Sequence, residues 1–219
     1  YKSAQNHLWA SIAKETAHQL GTPISSLQGW LELLKEKEEN TFIAGEIEKD
    51  VTRLQLVSDR FGKIGSSPKT ESIAPANQVR KVVEYMKGRS SGNVQFDIIY
   101  NSFEDTKALL SPTLFDWVIE NLIKNALDAI EGKGIIRIVF YKTHDRWLSI
   151  DIHDTGKGMS KKLQQQVFTP GVTTKRRGWG IGLSLSKRVI EQYHKGQLFI
   201  KQSEPGVGTS FTINLPVQG

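Results

Sequence analysis

Four short stretches hold residues whose types and spacing could handle phosphate or a flat ring. In Glu120-Asn-Leu-Ile-Lys-Asn-Ala-Leu-Asp-Ala129, Asn121, Asn125 and Asp128 fall four and three residues apart, on one helical face. Such a row of side-chain oxygens suits a Mg²⁺ that keeps several waters and bridges nucleotide phosphates. Leu122, Ile123 and Ala126 flank the row and place it near the core, where polar groups need partners. Asp154-Thr-Gly-Lys-Gly158 joins an acceptor-only carboxylate to two glycines, Gly156 and Gly158, that let backbone approach a flat ring. Alone, that pattern reads first as a tight turn. Gly178-Trp-Gly-Ile-Gly-Leu183 spaces Gly178, Gly180 and Gly182 ahead of a helix, a cradle of backbone N–H groups for an anion. It does not follow a strand in a βαβ unit, so the dinucleotide-binding reading fails. Gly206-Val-Gly-Thr-Ser-Phe211 by itself is an ordinary hairpin.

A fifth stretch, Ala17-His-Gln-Leu-Gly-Thr-Pro-Ile24, sets His18 five residues before Pro23 on an otherwise helical pattern. Proline inside a helix removes a backbone hydrogen bond and crowds the carbonyl four residues back, that of Gln19, at roughly 3 kcal/mol. Gly21 adds roughly 1 kcal/mol against Ala. Two such costs within a turn of a histidine call for a reason. His18 lies off the apolar stripe and is expected to face solvent. His7, His144, His153 and His194 have no such context and are expected to be solvated side chains.

The elements that must position these residues follow from periodicity. Leu8, Ile12, Leu20, Ile24, Leu27, Leu31 and Leu34 form one helical stripe. Ile43, Ile47, Leu54, Val57, Phe61 and Ile64 form a second after a short joint at 39–41. The spacing predicts an all-α antiparallel hairpin, which buries enough only as a four-helix bundle in a homodimer. Residues 1–66 are expected to be this domain, 67–75 a Gly/Ser/Pro-marked linker, and 76–219 a second domain. There the pattern predicts helices over 75–86, 112–130 and 182–193, the second with Pro112 at its first turn. Strands are expected over 94–100, 135–141, 147–153, 197–201 and 210–215, the middle two joined by the polar turn 142–146. This mixture, with two hairpin-like pairs, predicts an α+β sandwich.

Composition narrows the function classes. Charged residues make up 24% and hydrophobic ones 38%, which fits a folded chain rather than a disordered one. There is no cysteine, which excludes disulfides and thiolate metal sites. No apolar run reaches the roughly 18 residues of a membrane span, and no signal-peptide pattern opens the chain. The expectation is a cytoplasmic chain, with any membrane attachment left to segments it does not contain. The net charge of +6 invites a nucleic-acid reading, but residues 1–66 hold 8 basic and 9 acidic side chains. Lys175-Arg176-Arg177 is the one compact basic cluster, and a phosphate ligand explains it as well as a nucleic acid does. No nucleic-acid partner is expected.

In order and spacing, the second half resembles the ATP-binding domain of sensor histidine kinases, which shares its fold with gyrase and heat-shock-chaperone ATPases. Asn121–Ala129 resembles the N box, Asp154–Gly158 the G1 box, Phe168-Thr-Pro170 the F box, Gly178–Leu183 the G2 box and Gly206–Phe211 the last glycine box. The resemblance implies ATP and Mg²⁺ as cofactors, with Asn125 holding Mg²⁺ and Asn121 close to the phosphates. It implies that Asp154 accepts from the adenine amino group, with Thr209 near it through water. Thr173, Thr174 and Lys175 would form a short lid over the terminal phosphate. His18 with Gly21-Thr-Pro23 resembles the H box, whose histidine accepts the γ-phosphoryl group and passes it to a response-regulator receiver domain. Thr22 matches the position associated with dephosphorylating that receiver. Three features depart from the pattern. Asp128 and Ala129 stand where many relatives carry Lys and an aromatic, Trp179 fills a position usually small, and Gln19 replaces the acidic residue after the histidine. The implied function is an ATP-dependent protein histidine kinase core. A nucleotide-binding dimerisation module with degenerate activity, or a serine-directed or hydrolytic ATPase of the same superfamily, remain open on the sequence.

Overall fold

The computed structural model describes residues 18, 20, 21, 23–36, 40–65, 68–88, 90, 93–144, 146–175 and 180–217. Gln19, Thr22, Gly178 and Trp179 lie outside the described residues, as does His7. The chain divides into two units, Tyr1–Pro68 and Lys69–Gly219.

The first unit is helical. Residues 18, 20, 21 and 23–35 lie in helix α1, which takes Gly21 and Pro23 in its interior, and α2 spans Thr41–Gly65. The Ser25 hydroxyl donates to the Gly21 carbonyl at 3.0 Å, an added bond at the weakened turn. His18 is exposed, as expected. Lys35 on α1 pairs with Glu48 on α2 at 2.8 Å and with Glu32 at 3.3 Å. Among the described residues the buried apolar positions are Ile24 and Leu31 on α1 and Ala44 and Val51 on α2, spaced by seven. Of the expected second stripe, Ile43 is 56% and Leu54 41% exposed, Ile47 is half-buried, and the side chains of Val57, Phe61 and Ile64 lie outside the description; on α1, Leu27 (41%), Trp30 (64%) and Leu33 (54%) are exposed. Two helices bury only a narrow seam, and Ala44 permits closer approach there than the larger Ile43.

The second unit is an α+β sandwich. A five-stranded sheet runs β2 (Val94–Ile99), β4 (Gly134–His144), β5 (Trp147–Asp154), β7 (Gly208–Pro216), β6 (Gln197–Glu204). The β2–β4 pair is parallel and the others antiparallel. Alternation puts Ile136, Ile138 and Phe140 of β4, Leu148, Ile150 and Ile152 of β5, and Phe211, Ile213 and Leu215 of β7 on the buried face. Against it pack α3 (Pro75–Lys87), α4 (Pro112–Ala129) and α6 (Gly182–Arg188). The other face is polar and internally bonded. Asp151 accepts from Tyr141, Thr212 and Lys201 at 3.0, 2.6 and 2.6 Å.

Four features differ from expectation. Residues 71–73, within the expected linker, form strand β1, which pairs antiparallel with β3 (Ala108–Leu110). β4 continues to His144, so the expected turn at 142–146 is partly strand, with Thr143 bonded to Ser149. Helix α5 (Lys161–Gln166) has no apolar stripe to announce it in the sequence, and its N-cap Ser160 accepts from Leu163 N–H at 3.3 Å. The helix over 182–193 changes at Val189 into a π-helical turn ending at Tyr193.

His194, expected to be solvated, is 2% exposed, and the π turn is what places it inside. Burial pushes its pKa down from 6.5 to about 4. The native state therefore disfavours the protonated ring that the unfolded chain accepts. This contribution to stability is whole above pH 6.5 and is lost as pH falls toward 4, by up to about 3 kcal/mol. Urea unfolding of the second unit should show a falling midpoint from pH 7 to 4.5, and the fall should shrink in His194→Gln.

Candidate functional site

Helix α4 carries the polar row. Its apolar side chains, Leu114, Phe115, Val118, Ile119, Leu122, Ile123 and Ala126, are buried and fix its rotation on the sheet. Asn121 and Asn125 are thereby half-buried and Asp128 exposed, so the row runs from the core out to solvent rather than lying wholly near the core. Each member has a partner. Asn121 Nδ2 donates to Ser186 Oγ on α6 at 2.9 Å. The Lys175 ammonium donates to Asn125 Oδ1 at 2.7 Å and to Asp128 Oδ2 at 2.6 Å. A lysine from the loop after the F box thus sits between an amide oxygen and a carboxylate three residues apart.

That loop is tied at its base. Gly171 N–H donates to the Gly180 carbonyl at 3.0 Å, and both glycines have positive φ, +87° and +65°. A Cβ on Gly180 would collide with the Gly171 backbone. Within the loop Lys175 N–H donates to Thr173 Oγ1 at 3.1 Å, and Thr174 is exposed. Gly182 opens α6 directly against Asn121, where a Cβ would come within 2.6 Å of the amide oxygen. Leu183 is half-buried on the same turn. The F-box ring of Phe168 lies edge-on to Phe211 at 6.2 Å, with Lys187 Nζ 4.6 Å from its centroid.

Asp154 ends β5 and is 3% exposed. Its Oδ1 accepts from Gly156 N–H at 2.8 Å, a bond of an aspartate to the backbone two residues on. Burial raises its pKa, and the Gly156 N–H, His153 and the Thr209 N–H each pull it back. Its surroundings have no room for side chains. A Cβ on Gly156 would come within 2.7 Å of Ala129, one on Gly208 would fall on the Asp154 carbonyl, and one on Gly158 on that of Glu204. Thr209, opposite Asp154 in the register, hydrogen-bonds Ser203 at 2.8 Å.

The structure thus brings Asn121 to Gly182, Asn125 and Asp128 to Lys175, and Asp154 to Gly156 and Thr209. Three supporting residues carry no mark of their role in the sequence motifs. Ser186 orients Asn121, Ser203 accepts from Met159 N–H at 2.9 Å, and Gln164 donates to Met159 and Ser203 carbonyls at 2.8 and 2.9 Å. Of these, Ser186 alone was findable, four residues after Gly182 and so on the same helical face.

Residues 111–219 match the family model described as histidine kinase-, DNA gyrase B- and HSP90-like ATPase. The sensor histidine kinase ZraS of Klebsiella oxytoca is 30% identical over 226 residues, covering 99% of this chain and 47% of that protein. The signal transduction histidine-protein kinase AtoS of Escherichia coli K12 is 29% identical, covering 92% of this chain and 34% of that protein. The chain thus spans half or less of the length of these two relatives. Among solved structures, the catalytic domain of histidine kinase ThkA superposes with a TM-score of 0.61 at 23% identity, covering 68% of this chain and 97% of that domain. The complex of ThkA with response regulator protein TrrA matches at 0.62 and 20% identity, covering 95% of this chain and 61% of that one. At these identities the solved structures speak for the fold.

The lysine contact makes a prediction. Asp128→Asn should loosen the loop, and trypsin should cut after Lys175, Arg176 or Arg177 several-fold faster in the ligand-free variant than in the parent. Unchanged cleavage would mean that the Asp128 carboxylate does not hold the loop.

Proposed function

We propose that this chain, whose second unit is an ATP-binding domain of the sensor histidine kinase family, is the core of an ATP-dependent protein histidine kinase that phosphorylates its own His18. What carries the proposal is the joint presence of an exposed helical histidine, followed by Gly21 and Pro23, and the buried Asp154 among its glycines. A hydrolytic or serine-directed ATPase gives no reason for the first feature. Asp154 reads adenine through its carboxylate, with Thr209 beside it, while Gly156 and Gly158 let the backbone around it close on Ala129 and Glu204. Asn121 and the N–H groups at Gly180, Gly182 and Leu183 face the phosphates, with Gly178 in the same loop. Thr173, Thr174 and Lys175 cover the terminal phosphate, where the ammonium offsets developing charge.

The donor set fits Mg²⁺ of the kind that leans on substrate oxygens and water. Among the described residues no cluster of three His, Cys, Asp or Glu could cage a metal, and Asn125 already holds a cation's N–H on its oxygen. Asn125 would hold the ion, with Asp128 near it, and the ion would neutralise charge on the nucleotide phosphates. In the transfer, a neutral nitrogen of the His18 ring attacks the γ-phosphorus. An N–P bond forms, the bond from that phosphorus to the β–γ bridging oxygen breaks, ADP leaves, and the ring proton passes to solvent. Gln19 cannot take that proton, though its carbonyl can orient the ring.

The N-phosphoryl group then passes to an aspartate of a receiver domain, and Thr22 supports the reverse dephosphorylation. The match to the ThkA–TrrA complex supports such a partner. The apolar side chains left exposed on α1 and α2, among them Leu27, Trp30, Ile43 and Leu54, support an antiparallel hairpin that pairs with a second copy as a four-helix bundle. We place the kinase on the cytoplasmic side of any membrane it serves. Among the described residues no helix is long and apolar enough to cross one.

Incubating the chain with γ-labelled ATP and Mg²⁺ should give acid-labile label on His18. Acid-stable label or free phosphate alone would favour another ATPase. His18→Gln should abolish labelling and leave nucleotide affinity within about twofold. Asp154→Asn should weaken calorimetric ATP binding by roughly 1.5–3 kcal/mol, the range for a hydrogen bond to a charged group. Parental affinity in that variant would show that Asp154 does not read the base.

A further inference from the structure

The buried imidazole of His194 takes no part in the transfer described above. It follows the π turn Val189–Tyr193, which closes with His194 N–H on the Val189 carbonyl at 3.3 Å and Gly196 N–H on that of Ile190 at 2.9 Å. A π turn inserts one residue into the helical count, so the residues after it are rotated by about 100° from their places in an unbroken α-helix. The turn therefore decides which way His194 faces, and it faces α4. There Nε2 accepts the Ser111 N–H at 3.1 Å, and the ring stands edge-on to Phe115 at 6.0 Å.

Ser111 is the N-cap residue of α4, 5% exposed, and its own side chain makes no capping bond. A buried backbone N–H needs an acceptor, and His194 supplies it. Because Nε2 accepts, the neutral ring carries its hydrogen on Nδ1. Among the described residues Nδ1 is buried without a partner. The lowered pKa keeps the ring in this uncharged form at neutral pH. A phenylalanine would fill similar space without a stranded N–H, so packing alone does not account for a histidine here.

Another tie between these helices is the Asn121–Ser186 bond. Residues 111 and 121 lie about 15 Å apart along α4, at 1.5 Å per residue, so the two bonds hold well-separated points of that helix. One tie leaves a pivot, and two fix spacing and rotation. We propose that His194 is a positioning residue for the nucleotide site: its Nε2 holds the start of α4 against the π turn, so that Asn121 and Asn125 keep a fixed place relative to Gly180 and Gly182. This rests on the nucleotide-binding reading of that site.

Substitutions that put an acceptor in different places test it. Glutamine can set its carbonyl oxygen where Nε2 lies, whereas asparagine reaches only to the position of Nδ1. With the full chain, calorimetry of a non-hydrolysable ATP analogue with Mg²⁺ should show His194→Gln within about threefold of the parent. His194→Asn should bind at least about tenfold more weakly while still melting well above the assay temperature. Nitrogen NMR of the labelled, ligand-free parent should show Nδ1 protonated and Nε2 bare. Equal losses in the two variants, or a protonated Nε2, would overturn the positioning role while the site reading stands. A parent that binds no nucleotide yet shows the expected imidazole spectrum would overturn the site reading, and the positioning role with it.

Discussion

Helix α4 carries both core side chains and the polar row of the candidate site, and the second unit is arranged around that constraint. Seven of its side chains, from Leu114 to Ala126, are buried apolar groups. Each is worth roughly 1.5–3 kcal/mol for the larger aliphatics and aromatics, and together they leave no freedom in the helix's rotation. The remaining face carries Asn121, Asn125 and Asp128, and a polar row beside a core is stable only if its hydrogen bonds are met. Ser186 meets the first and Lys175 the other two. The Asp128 pair is about two-fifths exposed on each side, so screening leaves it little weight in stability. Its effect is on where the loop lies.

The glycines answer a second demand, close approach of backbone to backbone. Gly156 lets the turn after β5 touch the end of α4 at Ala129, and Lys157 N–H completes the contact by donating to the Ala129 carbonyl at 2.9 Å. Gly208, at φ +137°, lets β7 begin against the Asp154 carbonyl. Gly182 lets α6 begin against Asn121. Each contact brings one motif against another that is distant in sequence. Four separate stretches therefore come into contact because glycines at the junctions remove the side chains that would hold them apart.

The same physics decides which elements are legible in the sequence. The long alternating strands β4, β5 and β7 and the helix α4 show there because one face of each is apolar. β1 and β3 are three residues each, too short to show a period, and α5 has a single apolar residue, Leu163. Periodicity favours the larger Ile43 and Leu54 for the stripe on α2, whereas the seam uses Ala44 and Val51, because residue size sets how closely two helices approach. The candidate site residues are those that stand at motif spacing. Ser186, Ser203 and Gln164 are not legible as a set, since two of them act through folds of the chain that no local spacing records. His194 is hidden for a further reason: a single π turn rotates the residue after it, and α-helical periodicity carries no sign of that.

The helix that bears His18 sets local cost against burial in its own way. Pro23 and Gly21 together cost on the order of 4 kcal/mol against an ideal helix. Yet both lie inside α1, which continues to residue 35. Ile24 and Leu31, each under 5% exposed, return roughly 1.5–3 kcal/mol apiece, enough to offset that sum. The Ser25 hydroxyl adds a bond to the Gly21 carbonyl within the same turn. Among the described residues a Cβ at Gly21 would meet nothing within 4 Å, so none of them demands glycine there by packing. The helix is thus held by its buried seam rather than by its own backbone around residues 21–23. The local backbone cost falls at the turn beside the exposed His18 imidazole.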